Sequence, residues 1–97
     1  MALPKFLQPY LPSYNIAKLN KDDLGVSNEI ITQVLNLGDE KAVAWIFDNY
    51  TINEIRNAVK KPQMGVWNEE SLNYWSKILK IDEVSDYSSA LMNIYPV

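Results

Sequence analysis

The side chains that most often do chemistry are largely missing from this chain. It has no cysteine and no histidine. Without cysteine there is no disulfide and no thiolate metal site. Without histidine the commonest general base and metal ligand are both gone, and carboxylates alone favour harder ions than zinc. The remaining acids stand as the adjacent pairs Asp22-Asp23, Glu69-Glu70 and Asp82-Glu83. Sequence neighbours do not share a helix face, and each pair falls where a helix is expected to begin. Capping and dipole stabilisation account for them. Serines and threonines lack a partner base. With only Gly25, Gly38 and Gly65 there is no glycine-rich phosphate loop. The expectation is no enzyme: no catalytic, cofactor-binding or metal-binding residues, and no cofactor.

Recognition is a different matter. Between Thr51 and Lys80 stand five basic side chains (Arg56, Lys60, Lys61, Lys77 and Lys80) and three acidic ones (Glu54, Glu69 and Glu70). The whole chain carries −3, so the remainder is −5. Arg56, Lys60, Lys61, Asn73, Lys77 and Lys80 are the candidates for nucleic-acid contact. A pI near 4.8 opposes the phosphate attraction that dominates such binding. For a protein partner the candidates are Phe6, Tyr10, Tyr74, Tyr87 and Tyr95. Three tryptophans, six tyrosines and two phenylalanines are many for one small core, and interfaces enrich for aromatics.

These residues need elements to hold them. Ninety-seven residues, 47% apolar and 22% charged, describe one ordinary globular domain. Residues 1–14 contain Pro4, Pro9 and Pro12, which predicts an extended arm; residues 15–97 form a single helical domain. The broken apolar pattern of that arm does not resemble a secretory signal. No apolar run reaches the roughly 20 residues of a membrane span. A cytoplasmic location is expected.

Ile16 and Leu19 suit one helical turn before a loop. Ser27 is placed as the cap of a helix over Asn28 to Leu37, with Ile30, Ile31, Val34, Leu35 and Leu37 inward and Gly38 ending it in the left-handed conformation. Asp39 then caps Glu40 to Asn49, where Val43, Ile46, Phe47 and Tyr50 fall on one stripe widened by Ala42 and Trp45. That helix is expected to be the central one, with Ile46 and Phe47 buried. Thr51 and Glu54 form a capping box for a third helix with Ile52, Ile55 and Val59 inward. Pro62 ends it, and Gly65 turns the chain. Asn68 caps a fourth helix with Trp67 stapled over Leu72 and with Leu72, Trp75, Ile78 and Leu79 inward. Val84, Tyr87, Leu91 and Ile94 predict a fifth, begun at Asp82 and stopped by Pro96. The class is all-α: a bundle of four to five short helices with a helix-turn-helix-like pair at 51–80. Its link, Lys61 to Asn68, is eight residues, longer than such motifs use.

Several of these features, in order, resemble a family of small uncharacterised bacterial and archaeal helical proteins, a domain of unknown function. They are Ile30-Ile31, Val34-Leu35, Gly38-Asp39, Trp45-Ile46, Tyr50, Glu54-Ile55, Val59, Ser71 to Trp75 and Ile78-Leu79. The resemblance spans about Ile16 to Asp82. It implies an α-helical fold and association with nucleotidyltransferase-type toxins of abortive infection, the small protein being antitoxin or accessory partner. It carries no catalytic residues. The chain departs from the pattern at Lys61-Pro62-Gln63-Met64-Gly65, where relatives have a basic, serine-rich turn, and at Lys80, where glycine is common. The expected function is a non-catalytic protein-binding module. The alternative is a small helix-turn-helix-like DNA-binding regulator. A protein partner or self-association is expected; no membrane and no metal are.

Overall fold

The first helix, α1 (Leu24–Leu37), is the element the others pack around. It meets α2 (Glu40–Asn49), α3 (Ile52–Lys60), α4 (Glu69–Ile78) and a 3-10 helix at Lys5–Tyr10. The computed structural model describes residues 3–12, 14–63, 65–82, 84 and 91. Among these the chain is all-α. No strand forms, and the one ladder-like pairing is an isolated parallel bridge between Trp67 and Leu91.

α1 replaces α2 as the central helix, because it is buried on more than one side. Ile30, Ile31, Val34 and Leu35 are buried, and so are Thr32 and Asn36 between them. It also starts earlier than expected. Asp23, not Ser27, is the cap, its Oδ1 accepting from the backbone of Gly25 and Val26. Ser27 lies inside the first turn and is buried.

Gly38 closes α1, but not in the left-handed conformation: its φ is −76°. Glycine is needed there for closeness instead. A Cβ would stand 2.5 Å from Val34 O, 2.9 Å from Val34 Cγ1 and 3.3 Å from Ala42 Cβ. The chain can therefore turn at once into α2, capped by Asp39 Oδ1 accepting from Ala42 N–H at 2.9 Å. Thr51 and Glu54 make the reciprocal capping box of α3. Asn68 caps α4, and Trp67 before it is fully buried with Leu72.

The end of α4 uses an unusual residue. Lys80 has φ 55°, in the region that favours glycine. Its N–H donates to Lys77 O at 3.2 Å, and Ile81 N–H donates to Ser76 O at 2.9 Å, the paired bonds of a Schellman cap.

The proline-containing start is not extended. Its 3-10 helix, with Pro9 inside it, buries Leu7. Leu3 and Leu11 join the core on either side. Burial of Leu7 within the helix and of Leu3 and Leu11 flanking it outweighs the loss of regular hydrogen bonding at proline. The single turn expected near Ile16 is present as a 3-10 turn at Ile16–Lys18. The fifth helix expected from Asp82 lies largely outside the described residues. Val84 and Leu91 pack against the core, and Leu91 is extended where it pairs with Trp67.

Candidate interaction surface

Two structures meet on α4, one polar and buried, the other apolar and exposed. The buried one centres on Asn36 in the last turn of α1. Its Nδ2 donates to Val66 O at 3.0 Å, and its Oδ1 accepts from Asn68 N–H at 3.0 Å. The side-chain amide thus pairs with the backbone on both sides of Trp67. Two carbonyls at the end of α1, lacking intrahelical partners, are met by α4. Ser71 Oγ donates to Asn36 O at 3.0 Å, and Trp75 Nε1 donates to Leu35 O at 2.8 Å.

The exposed structure lies on the outer side of Trp75. Phe47 of α2 packs on its ring with centroids 5.9 Å apart. Tyr74 meets it edge-on at 5.0 Å. Phe47, Tyr74 and Ile78 are 39%, 57% and 53% exposed. Tyr74 and Ile78 are four apart and share a side of α4. Phe47 and Ile78 were expected in the core, and Ile52 and Leu37 with them; all four are exposed. Ala42 and Ile46 hold the inner line of α2 in place of Phe47, while Val43 and Trp45 are only half-buried. Tyr74 was singled out from sequence, whereas Phe47 and Ile78 were missed as surface residues. Their position at the margin of each apolar stripe was the available signal.

The other interface candidates fare differently. Phe6 is half-buried, with Lys41 Nζ 4.7 Å from its ring centre. Tyr10 is half-buried too, its hydroxyl accepting from Asp39 N–H at 3.3 Å. Both are engaged in holding the N-terminal segment to the bundle. Tyr87 and Tyr95 lie outside the described residues.

The basic candidates are divided between α3, α4 and the residues that end them. Arg56 and Lys60 are exposed one turn apart on α3. Lys61 turns toward α1, at the edge of an open groove with Gly25, Asn28, Glu54 and Asn57. Asn73 and Lys77 are exposed along α4, and Lys80 caps its end. Among the described residues none of these cations is ion-paired; the one salt bridge joins Lys21 and Asp22 at 2.8 Å. The α3–α4 pair packs directly, but the front of α4 is taken up by Asn68 and Asn36.

No group of acids, among the described residues, is gathered to hold a metal ion. Asp23 is spent on its cap and Asp22 on Lys21, and Glu69 and Glu70 sit in the first turn of α4. Among the described residues the one strongly perturbed group is Tyr50. Burial, then the charges of Asp22 and Glu54, push its hydroxyl well above the ordinary tyrosine value. It donates to Lys21 O at 3.0 Å, tying the end of α2 to the segment before α1. An apolar recess of about 190 Å³ opens between Leu11, Tyr14, Leu19, Val26 and Ile30. No helix of the described residues is long and apolar enough to cross a membrane.

Comparison with known proteins adds no relative. No family model matches the chain, nor does any curated protein or solved structure.

Proposed function

We propose that this chain is a non-catalytic protein-binding module that docks through the strip formed by Phe47, Tyr74 and Ile78. One observation carries the reading: three large apolar side chains stand exposed around a single buried tryptophan. The fold gains little from leaving them in water, whereas an interface gains from covering them. The partner in this reading is a separately encoded enzyme, which the chain restrains as an antitoxin or accompanies as an accessory subunit. That step rests on the family resemblance of the sequence. The setting is a prokaryotic cytoplasm, in keeping with a chain free of cysteine.

The test is recovery from the native host. Tagged wild-type chain retains an enzyme partner, and the Tyr74→Ser/Ile78→Ser variant loses it at unchanged helicity. The Arg56→Glu/Lys60→Glu variant keeps it. Equal recovery with the strip intact and disrupted sinks the proposal.

A second reading, DNA binding by the α3–α4 pair, is favoured by Arg56 and Lys60 standing exposed, one turn apart and, among the described residues, without an ion partner. It predicts retardation of duplex DNA at low salt and micromolar protein, abolished by the Arg56→Glu/Lys60→Glu variant. No retardation under those conditions removes it.

A further inference from the structure

The exposed side of α4 carries charges in an order that matches itself when reversed. Glu69 and Glu70 lie in its first turn and Lys77 in its last. Glu70 and Lys77 are exposed and, among the described residues, form no ion pair. A helix turns about 100° and rises about 1.5 Å per residue. Measured from Tyr74, Glu70 and Lys77 both fall on one flank, about 40° and about 60° away. Ile78 falls on the other flank, toward Phe47. Along the axis Glu70 and Lys77 lie about 5 Å below and above a point midway between Asn73 and Tyr74.

We propose that this face pairs with the same face of a second copy, the two α4 helices running antiparallel about a two-fold axis at that midpoint. This inference rests on the reading of the strip as an interface and gives the same helix a second occupant, taken when the enzyme partner is absent. A two-fold perpendicular to the plane of the two helices keeps each flank on its own side and reverses direction. It sets Glu70 of one copy beside Lys77 of the other, and repeats the pair by symmetry, as an isologous contact requires. Tyr74 meets its own counterpart at the centre. A parallel pairing, whose two-fold runs along the helices, swaps the flanks and would instead leave Glu70 and Lys77 of each copy facing the Ile78 flank of the other. The antiparallel arrangement also opposes the two helix dipoles, which favours it.

Tyr74 is already held edge-on against Trp75, so little side-chain freedom is lost on docking. One helix face is a small area, at the low end of specific interfaces. The dimer is accordingly weak and in exchange with monomer.

Sedimentation of the full chain from about 10 μM to about 1 mM at low salt, conditions chosen for an interface of this size, tests the pairing. Wild type shifts from monomer toward dimer as concentration rises, and added salt weakens the shift. Tyr74→Ser reduces association about tenfold or more. Glu70→Lys alone and Lys77→Glu alone each weaken it several-fold, because each places like charges opposite each other twice. The double variant Glu70→Lys/Lys77→Glu restores it, and so does an equal mixture of the two single variants. Circular dichroism of each variant confirms that α4 is intact. A monomer throughout the range overturns the pairing, as does a dimer indifferent to Tyr74 and to the charge swaps. Neither result touches the proposed enzyme partner, whose loss with the Tyr74→Ser/Ile78→Ser variant is read separately in the recovery experiment.

Discussion

Trp75 separates two regions that obey opposite rules. On its inner edge the indole N–H donates to Leu35 O, beside an asparagine whose amide is bonded on both sides. On its outer face lie Phe47 and Tyr74, apolar groups that water still reaches. The inner joint is polar and largely enclosed, and the outer strip is apolar and open to water. The Asn36, Ser71 and Trp75 side chains each have a partner, and losing a partner costs the full desolvation of the group left behind; among the described residues Thr32 Oγ1 and Trp67 Nε1 are buried without one. Exposed apolar atoms persist without such a debt. The joint is thus expected to govern stability, and the strip to govern association.

Asn36→Leu is the hardest test of the joint. It removes the partner of Val66 O and of Asn68 N–H, both half-buried, and forces a branched side chain between them. A loss of about 3 kcal/mol is expected from urea unfolding. A loss below about 1 kcal/mol would mean that water replaces the amide and the joint is not enclosed. Gly38→Ala comes next. Its new Cβ meets backbone oxygen, which cannot swing aside as a side chain can. About 2 kcal/mol should be lost as the corner between α1 and α2 opens.

Tyr50 extends the same comparison to pH. It is a second buried polar group with a partner, Lys21 O. Its folded pKa is raised, so the neutral hydroxyl is the form that folding favours. The stability it contributes is complete below the unfolded tyrosine pKa of about 10 and drains away as pH climbs beyond it. Wild type should therefore lose stability steeply above about pH 10. Tyr50→Phe should be less stable at neutral pH, by about 1 kcal/mol, and should show a shallower alkaline decline. Parallel declines for both proteins would assign the alkaline sensitivity to other groups.

What the sequence shows of all this depends on range. Asp39, the Thr51–Glu54 pair and Asn68 satisfy backbone amides three residues away, and local rules find them. The all-α class follows from the spacing of apolar residues. Asn36 is different: its partners are about thirty residues on, and nothing local distinguishes it from a solvent-facing asparagine. Its neighbour by one turn, the buried Thr32, was the missed sign that α1 is enclosed on several sides. Periodicity also shows a stripe without its covered width. Phe47, Ile52 and Ile78 sit at stripe margins, and only the arrangement of neighbouring helices decides that they stay exposed. The basic residues of α3 and α4 are legible as exposed.

Lys80→Gly acts at the far end of the helix that carries both regions. A left-handed lysine costs about 1 kcal/mol relative to glycine, offset in part by the greater freedom glycine brings to the unfolded chain. A net gain of about 0.5 kcal/mol is expected, measured as a rise in the urea midpoint at constant slope. Because the change leaves the outer side of α4 alone, association should not move. If association strengthened as well, the end of α4 would be fraying in wild type, and the strip would be less preformed than its packing on Trp75 implies.

The smallest expected effect on stability is the most informative about the strip. Tyr74 is 57% exposed and stands on the outside of a helix whose inner line is Leu72, Trp75 and Leu79. Removing its ring forfeits the edge contact with Trp75 and little else, while serine is only a slightly poorer helix former. Tyr74→Ser should unfold within about 0.5 kcal/mol of wild type, against the much larger change at Asn36. Should the two substitutions cost the same, Tyr74 would belong to the core in all but exposure. The division drawn at Trp75 would then vanish, because the ring would be holding α2 to α4 rather than waiting for a partner. A near-zero cost together with lost association leaves recognition as the reason for an aromatic side chain at that position.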